Sequence, residues 1–123
     1  MDCIFCKIIA GEIPCKKLYE DDDFFVFLDL DQRSEGHSLI IPKKHIEDYK
    51  SLSDEMLIKI YKLAKHISDT LMKELNKTGV SLLFNYGTNQ EVKHVHMHVM
   101  PNFLKEEGTK SSDEIYEIIK GKF

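Results

Sequence analysis

The sequence predicts a single α+β domain over residues 1–123, in which an antiparallel sheet packs against one long helix. The chain has 123 residues and is 42% hydrophobic, which suits one globular domain with a core of its own. Five short apolar segments have the character of strands, and they form two groups on either side of one long stretch with helical periodicity. Strands and helices segregated in this way are typical of α+β folds.

Before the long helix, the chain is predicted to form one short helix and three strands. Residues 3–10 carry apolar side chains at helical spacing and precede Gly11, where a helix C-terminal cap is expected. Residues 16–21 and 24–29 are predicted as two strands around an acidic turn. Residues 37–43 form a third, largely buried strand, and a proline marks its end.

The long helix is predicted over residues 54–76, and two strands and a short helix follow it. Ser53 is suited to cap the start of this helix, and the acidic residues of the first turn favour the same end. The later strands are expected at 80–86 and 94–100, joined by a polar loop, and the last helix at 113–120. The apolar residues of the long helix recur every three or four positions and form one stripe: Leu57, Ile60, Ala64, Ile67, Leu71 and Leu75.

The charge balance argues against a protein that binds nucleic acid or a membrane. The chain carries 17 basic and 21 acidic residues, a net charge of −4, whereas nucleic-acid backbones require a basic surface. Only Arg33 is an arginine, so a phosphate group would have to be held by backbone N–H groups, histidines, amides or lysines rather than by a set of arginine forks. The longest apolar run is too short to cross a bilayer.

The start of the chain and its three cysteines indicate a reducing compartment. The first residues lack the basic and apolar regions of a signal peptide. Cysteines in a chain without such a signal are more often metal ligands or redox groups than parts of a disulfide framework. We therefore expect a cytoplasmic protein.

Three histidines alternate along the last predicted strand. Because side chains on a strand point to opposite faces in turn, His94, His96 and His98 share one face, and the apolar residues between them point into the core. A solvent-facing strand or a metal-binding patch would be compatible with this pattern. Folding stability gives no reason to place three imidazoles side by side, however, so a cluster that performs metal binding or nucleophilic and acid–base chemistry is favoured.

The histidine run and four other motifs resemble the histidine triad (HIT) family, in its Hint-like branch of small nucleotide hydrolases. The run His94–Met100 matches the pattern of three alternating histidines followed by two apolar residues. The resemblance covers about residues 2–103 and leaves 104–123 as a C-terminal tail with a short helix. The other motifs are Asp2–Ile9 followed by Glu12-Ile13-Pro14, Phe27-Leu28-Asp29, Gly36–His45, and Asn85 with Gln90-Glu91-Val92.

The resemblance implies the HIT fold, a five-stranded antiparallel sheet with one long helix and short N- and C-terminal helices. It implies a homodimer and a reaction that splits a nucleoside 5′-monophosphate from its leaving group. His96 would attack phosphorus and form a covalent nucleotidyl-imidazole, which splits one displacement into two easier steps. His98 would donate a proton or a hydrogen bond beside it, and His94 and His37 complete the catalytic set. No metal is required for this chemistry.

The resemblance also implies a nucleotide-binding site. Asp29 matches the position whose carboxylate accepts hydrogen bonds from the ribose hydroxyls. The phosphate would be held by Asn85 and by backbone N–H groups near Gln90, Glu91 and Val92, together with His98. Five residues match the apolar slot for the base, although Ile8 and Leu30 could equally be plain core: Ile4, Phe5, Ile8, Phe27 and Leu30.

Cys3 and Cys6 have the spacing of metal ligands, and the resemblance adds two histidines to them. Some HIT proteins carry a structural zinc, for which His45 and His94 would complete a tetrahedral set. Two buried thiols without a metal, or a redox pair, remain alternatives. The third cysteine, Cys15, is predicted to serve only in packing.

The sequence departs from the family pattern in both loops that border the predicted site. The loop before the triad is two residues shorter than usual, Asn89 replaces the usual glycine and Glu91 stands where some relatives have serine. After Asp29, two family prolines are replaced, by Gln32 and Glu35. The phosphate donors and the leaving group are therefore the features that the resemblance leaves open.

The preferred function is hydrolysis of purine nucleoside 5′-phosphoramidates, with AMP or GMP as products. One alternative is a dinucleoside polyphosphate hydrolase of the Fhit-like type. Another is a nucleotide-binding interaction module with vestigial activity, against which the intact triad argues. A zinc-dependent hydrolase that uses the histidines as ligands would stop working when a chelator removes its metal.

Overall fold

The computed structural model describes residues 2–104 and 110–123, and it confirms the predicted fold class and order of elements. The predicted C-terminal tail therefore includes five residues, 105–109, outside the described part. Two single 3₁₀ turns, Tyr49–Ser51 and Gly87–Asn89, were not predicted. The helices and strands are α1 Ile4–Ile9, β1 Lys17–Glu20, β2 Phe24–Leu28, β3 Ser38–Pro42, α2 Asp54–Leu75, β4 Val80–Phe84, β5 Met97–Pro101 and α3 Ser112–Ile119.

The five strands form one antiparallel sheet in the order β1-β2-β3-β5-β4. Strand β5 lies between β3 and β4, so His98 pairs with Leu39 on one side and Leu83 on the other. The histidine strand is thus held in the interior of the sheet, whereas β1 and β4 are its edges.

The prediction of a strand over 94–100 is wrong at its start, because β5 begins at Met97. The backbone before it bonds elsewhere: the N–H of Val95 donates to the carbonyl of Ile46 at 2.7 Å, outside the sheet. His94, which lies in a bend, and His96 therefore belong to the segment that leads into β5, and only His98 of the triad is within the strand.

The two faces of the sheet bury different sets of side chains, which explains why β2 and β3 are buried at every position. Phe24, Val26 and Leu28 face the core formed with the long helix. Phe25 and Phe27 face the opposite way and pack with α1. Met97 and Val99 of β5 lie in the first core, so the alternation of strand side chains directs His98 to the α1 face of the sheet.

Helix α2 begins and ends at residues with capping geometry. The Ser53 hydroxyl accepts a hydrogen bond from the N–H of Met56 at 3.1 Å, as the sequence predicts for an N-cap. The helix ends at Asn76, which adopts a left-handed conformation with φ 56°, and the N–H of Lys77 donates to the carbonyl of Met72 at 2.8 Å. None of the helices in the described part of the chain could span a membrane.

The loop between β2 and β3 is fixed by the two residues that replace the family prolines. The Gln32 amide donates to the carbonyl of His37 at 2.8 Å and accepts from the N–H of Gly36 at 3.0 Å. Gly36 has φ +89°, and a Cβ there would lie 2.6 Å from a methyl carbon of Leu75, so the position requires glycine.

Glu35 ties the same loop to the C-terminal part of the chain. Its buried carboxylate pairs with the ammonium group of Lys77 at 2.8 Å and accepts the backbone N–H of Lys110 at 2.8 Å. Burial would raise the pKa of Glu35, but the contacts with Lys77 and Lys110 outweigh it and hold the pKa below its ordinary value. The loop thus contacts both the end of α2 and the segment that leads into α3.

Candidate active site

A cleft of about 260 Å³ opens on the α1 face of the sheet, beside the triad. One wall is apolar and is formed by α1 and β2, and the other is polar and is formed by the two loops that border the histidines. The predicted site residues that line the cleft are Ile4, Phe5, Ile8, Phe27, Asp29, Leu30, Asn85, Glu91, Val92, His96 and His98.

The residues predicted for the base slot lie together on the apolar wall. Leu30 is 73% exposed and Ile4 is 48% exposed, so both stand at the mouth of the cleft, and the alternative that Leu30 belongs to the core is wrong. Ile8 lines the cleft and is also buried in the core cluster that packs with α1. This residue therefore belongs both to the cleft wall and to the core. Cys15, predicted to serve only in packing, packs against the same core cluster and also lines the cleft.

Gln90 does not take the place that the sequence predicted for it. Its backbone N–H already donates to the carbonyl of Gly87 at 3.0 Å, within the second 3₁₀ turn. Its buried side-chain amide donates to the carbonyls of Glu47 and Val92, at 2.7 and 3.0 Å. Gln90 therefore positions the loop, and Glu91 and Val92 line the cleft.

His96 is held with one ring nitrogen free to act as a nucleophile. Its Nδ1 lies 2.9 Å from the carbonyl oxygen of His94, which can only accept, so Nδ1 carries the proton and Nε2 the lone pair. The Phe5 ring packs against the imidazole at 5.0 Å between centroids. Burial lowers the pKa of His96, although the bond to His94 and the charges of Asp29 and Glu91 oppose this, so the ring is neutral near pH 7.

The other three histidines of the predicted catalytic set do not all reach the cleft. His37 and His94 are fully buried, and neither lines it. His94 contributes its carbonyl oxygen to His96, while its ring turns toward the two cysteines of α1.

A chain of hydrogen bonds sets the proton on His98. The backbone N–H of Arg33 donates to His37 Nδ1 at 3.3 Å, so the His37 proton is on Nε2. His37 Nε2 lies 2.9 Å from His98 Nδ1 and donates to it, which leaves His98 with its proton on Nε2. The Asn85 amide lies 3.3 Å from this nitrogen, and it accepts the proton when its oxygen rather than its nitrogen is turned toward the ring. Asp29 Oδ2 lies 3.6 Å from His37 Nε2.

His98 is consequently a neutral donor to the cleft. Burial, followed by the charges of His96, His37 and Arg33, lowers the pKa of His98 to about 3. Its Nε2–H is suited to a hydrogen bond with a phosphate oxygen, a fixed donor of the kind that stabilises charge in a transition state.

Acid is expected to destabilise the fold through these buried rings. In the folded protein the pKa values of His37, His96 and His98 are lowered, chiefly by burial, whereas in the unfolded chain they return to about 6.5. Below about pH 6.5, the unfolded chain therefore takes up protons that the folded protein does not. The free energy of unfolding should fall as the pH drops below about 6.5, and the contribution of His98 should continue to fall down to about pH 3, with a slope approaching about 1.4 kcal/mol per pH unit for that ring.

Urea unfolding at a series of pH values measures this slope. In His98→Asn we expect a smaller slope of the unfolding free energy against pH, because the unfolded variant takes up about one proton fewer than the unfolded wild type. His66→Asn is the control, because His66 is an exposed residue of α2 remote from the cleft. Equal slopes in the wild type and His98→Asn would show that His98 is protonated in the folded state.

Two cysteines and two histidines form a separate cluster at the N-terminal end of α1, where Cys3 is the N-cap residue. Cys3 Sγ lies 3.4 Å from His94 Nδ1, and Cys6 Sγ lies 3.4 Å from His45 Nδ1 and 3.5 Å from His94 Nδ1. His94 Nε2 lies 2.8 Å from the carbonyl of Pro42 and donates to it, so Nδ1 presents a lone pair to the thiols.

The spacing of the cluster fits a tetrahedral zinc ion. Zinc bonds of about 2.3 Å to sulfur and 2.05 Å to nitrogen, at the tetrahedral angle, place the two ligand atoms about 3.5 Å apart. The four ligand atoms lie within 4.8 Å of one another, and each residue offers one of them. These four residues could therefore hold zinc without rearrangement.

Arg33 is the cleft residue that sequence reasoning missed. The composition argument set arginine aside because there is only one, yet the structure places this one in the cleft lining. Its position in the loop between Asp29 and His37, two predicted site residues, was the signal that could have identified it. Asp31 and Asn89 also line the cleft.

This fold and the histidine-lined cleft define a HIT-domain protein. The HIT domain family model matches residues 10–104, and the chain belongs to this family. It is 41% identical over 110 residues to the adenosine 5′-monophosphoramidase hnt1 of Schizosaccharomyces pombe, covering 88% of this chain and 80% of that one.

Two further relatives extend the comparison. The adenylylsulfatase HINT3 of Arabidopsis thaliana is 40% identical over 102 residues, covering 81% of this chain and 52% of that one. The crystal structure of a zinc-bound histidine triad family protein from Mycobacterium smegmatis aligns with a TM-score of 0.85 at 28% identity, covering 98% of this chain and 91% of that one.

Proposed function

We propose that this protein hydrolyses purine nucleoside 5′-phosphoramidates through a covalent nucleotidyl-histidine intermediate. The observation that carries the proposal is the His96 ring, neutral and with its Nε2 lone pair available in a cleft that combines an apolar slot with polar donors. The relative named as an adenosine 5′-monophosphoramidase supports the substrate class, and the one named as an adenylylsulfatase supports attack on the same phosphorus.

In the proposed first step, His96 Nε2 forms a bond to the α-phosphorus and the bond from phosphorus to the amine breaks. The His98 Nε2–H stabilises the negative charge on a phosphate oxygen, and the departing amine takes up a proton from a water molecule in the open cleft. In the second step, water attacks phosphorus, releases the monophosphate and restores the neutral imidazole.

The nucleoside would be held by Asp29 and by the apolar wall. One carboxylate oxygen of Asp29 accepts the N–H of Asp31 at 2.9 Å, and this bond fixes the side chain at the cleft. Its remaining acceptor positions suit the two ribose hydroxyls. The purine would lie between Phe5, Phe27 and the exposed side chains of Ile4 and Leu30, where burial of an aromatic ring is favourable.

The release of AMP or GMP from three kinds of substrate tests the proposal. Adenosine and guanosine 5′-phosphoramidates should be cleaved with a higher kcat/KM than a dinucleoside polyphosphate. The reverse order would favour the dinucleoside polyphosphate hydrolase. Tight binding of AMP without turnover of any substrate would favour the nucleotide-binding module.

We also propose that Cys3, Cys6, His45 and His94 hold a structural zinc ion. The matching ligand distances and the zinc-bound neighbour from Mycobacterium smegmatis support this assignment. The ion would fix α1, which carries one side of the base slot, to the segment that presents His96. It would contribute to stability and take no part in the bond-making steps.

We further propose that two copies of the chain associate through the edge strand β4 and the neighbouring face of α2. Every residue of β4 is half-buried, and an edge strand presents unpaired backbone groups to a second copy. Ile58 and Tyr61 of α2 are 58% and 46% exposed, and Tyr61 contacts the ring of Phe84 in β4. These residues form one exposed apolar patch.

A charge in this patch is expected to dissociate the dimer. The wild type should elute in light-scattering chromatography with twice the chain mass of 14.3 kDa, and Ile58→Asp should elute with the mass of one chain. Ile118→Asp is the matched control, because Ile118 is an exposed isoleucine on α3. A wild type that is monomeric at micromolar concentration would contradict the proposal.

A further inference from the structure

The cleft contains one permanent positive charge among several negative ones. Among the described residues that line it, Arg33 is the only lysine or arginine, whereas Asp29, Asp31 and Glu91 contribute three carboxylates. The two imidazole rings that line the cleft, His96 and His98, contribute no permanent positive charge. The cleft without Arg33 would therefore repel any ligand that brings more than one negative charge.

The backbone of Arg33 is held in the loop that borders the cleft on the side of His37. Its N–H donates to His37 Nδ1 at 3.3 Å, and the neighbouring Gln32 amide bonds to two backbone groups of the same loop. Arg33 lines the same cleft as His98, the ring that would contact the phosphate.

The guanidinium group has no carboxylate partner in the parts of the chain that the structure describes. Other charged side chains form ion pairs within 4.0 Å across residues 2–104 and 110–123, but none of these pairs includes Arg33. The side chain is exposed at the cleft. A guanidinium group presents a planar fork of donors that matches the oxygens of a carboxylate, sulfate or phosphate group.

We propose that Arg33 recognises a second anionic group on the substrate, carried by the leaving group next to the α-phosphate. This inference rests on the proposed function, and it adds a class of leaving group that this chain accepts beside amines: an acid such as sulfate or phosphate, which carries its own negative charge in the intact substrate. Such a group departs when the bond between phosphorus and the bridging oxygen breaks. It leaves as a stable anion with both electrons of that bond and needs no proton.

The test compares two substrates that differ in the charge of the leaving group. Adenosine 5′-phosphosulfate carries a second anion, and adenosine 5′-phosphoramidate does not. In Arg33→Gln, kcat/KM for the phosphosulfate should fall about tenfold or more relative to kcat/KM for the phosphoramidate, the size expected for lost hydrogen bonds between charged groups. Arg33→Lys should lose less, because it keeps the charge but not the fork.

Lys62→Gln is the matched control, since it removes one positive charge from an exposed position of α2 away from the cleft. An equal loss for both substrates in Arg33→Gln, or an equal change in Lys62→Gln, would overturn the inference. Binding separates it from the proposed hydrolysis: ADP, which has a phosphate beyond the α-phosphate, should lose affinity relative to AMP in Arg33→Gln. If the wild type cleaves neither substrate, the proposed hydrolysis fails. The ratio of the ADP affinity to the AMP affinity, in the wild type and in Arg33→Gln, still decides the role of Arg33.

A phosphate on the ribose is the other source of a second anion. Adenosine 3′,5′-bisphosphate distinguishes it, because its extra phosphate lies on the sugar. If Arg33→Gln weakens this ligand relative to AMP and leaves the ratio of ADP to AMP unchanged, the assignment to the leaving group is overturned.

Discussion

His96→Ala is expected to lower kcat for nucleoside phosphoramidates by roughly 10³-fold or more, as the loss of a covalent nucleophile does in other hydrolases. No other ring in the described cleft can replace it, because the proton on His98 Nε2 leaves that nitrogen without a free lone pair. Binding of AMP should change little, since the base slot and Asp29 are intact. Stopped turnover with retained binding is therefore the expected pattern.

Mass spectrometry of cold, acid-quenched protein gives the direct readout. Wild-type protein mixed with an adenosine phosphoramidate should gain one AMP, and His96→Ala should not. His66→Ala is the matched control, because it removes an exposed histidine of α2. A His96→Ala protein that keeps more than about a tenth of the activity would refute the assignment of His96 as nucleophile.

The double replacement Cys3→Ser with Cys6→Ser is expected to remove bound zinc and to destabilise the fold. A metal present at a thousand times its Kd stabilises the protein that binds it by about 4 kcal/mol, and this contribution is lost with the ligands. Elemental analysis should find one zinc per wild-type chain and none in the variant. Thermal unfolding should show a lower Tm in the variant, and a chelator should lower the wild-type Tm toward the same value.

The third cysteine provides the control for this experiment. Cys15 is half-buried and lies outside the cluster, so Cys15→Ser should keep the metal and most of the Tm. If the wild-type protein contains no metal and melts at the same temperature as the double variant, Cys3 and Cys6 are thiols that serve only in packing. Turnover that stops on chelation while the fold remains intact would favour a zinc-dependent hydrolase instead.

The elements that depend on local sequence could be predicted, and those that depend on distant backbone could not. The stripe and N-cap of α2 follow from residue spacing and from Ser53 alone. The structure confirms the N-cap and five of the six stripe residues, whereas Leu57 lies outside the core, beside the exposed Ile58 and Tyr61. The start of β5 could not be predicted, because the alternation from His94 onward has the same pattern whether or not the backbone pairs with a neighbouring strand. The bond of Val95 to Ile46 decides this, and it joins residues far apart in the chain.

The same distinction applies to the candidate site. The resemblance predicted five residues for a base slot from their positions in motifs, and these residues line one wall of the cleft. It did not distinguish Gln90 from Glu91. The side-chain amide of Gln90 donates to the carbonyl of Glu47, away from the cleft, whereas Glu91 lines the cleft. Composition was a poor guide to Arg33, because the importance of a charge depends on where it lies and not on how many of its kind the chain has.

The contact of Glu35 with Lys110 has a consequence for how this chain can vary. Lys110 offers its backbone N–H to the carboxylate, a group that every residue except proline possesses. The C-terminal segment can therefore exchange its side chains freely at this point and still reach the Asp29–His37 loop by the same path. A proline at 110, or a graft of this tail onto a relative with proline in place of Glu35, would uncouple the tail from the loop. Tails and loops in this family should consequently be transplanted as pairs when hybrid proteins are built.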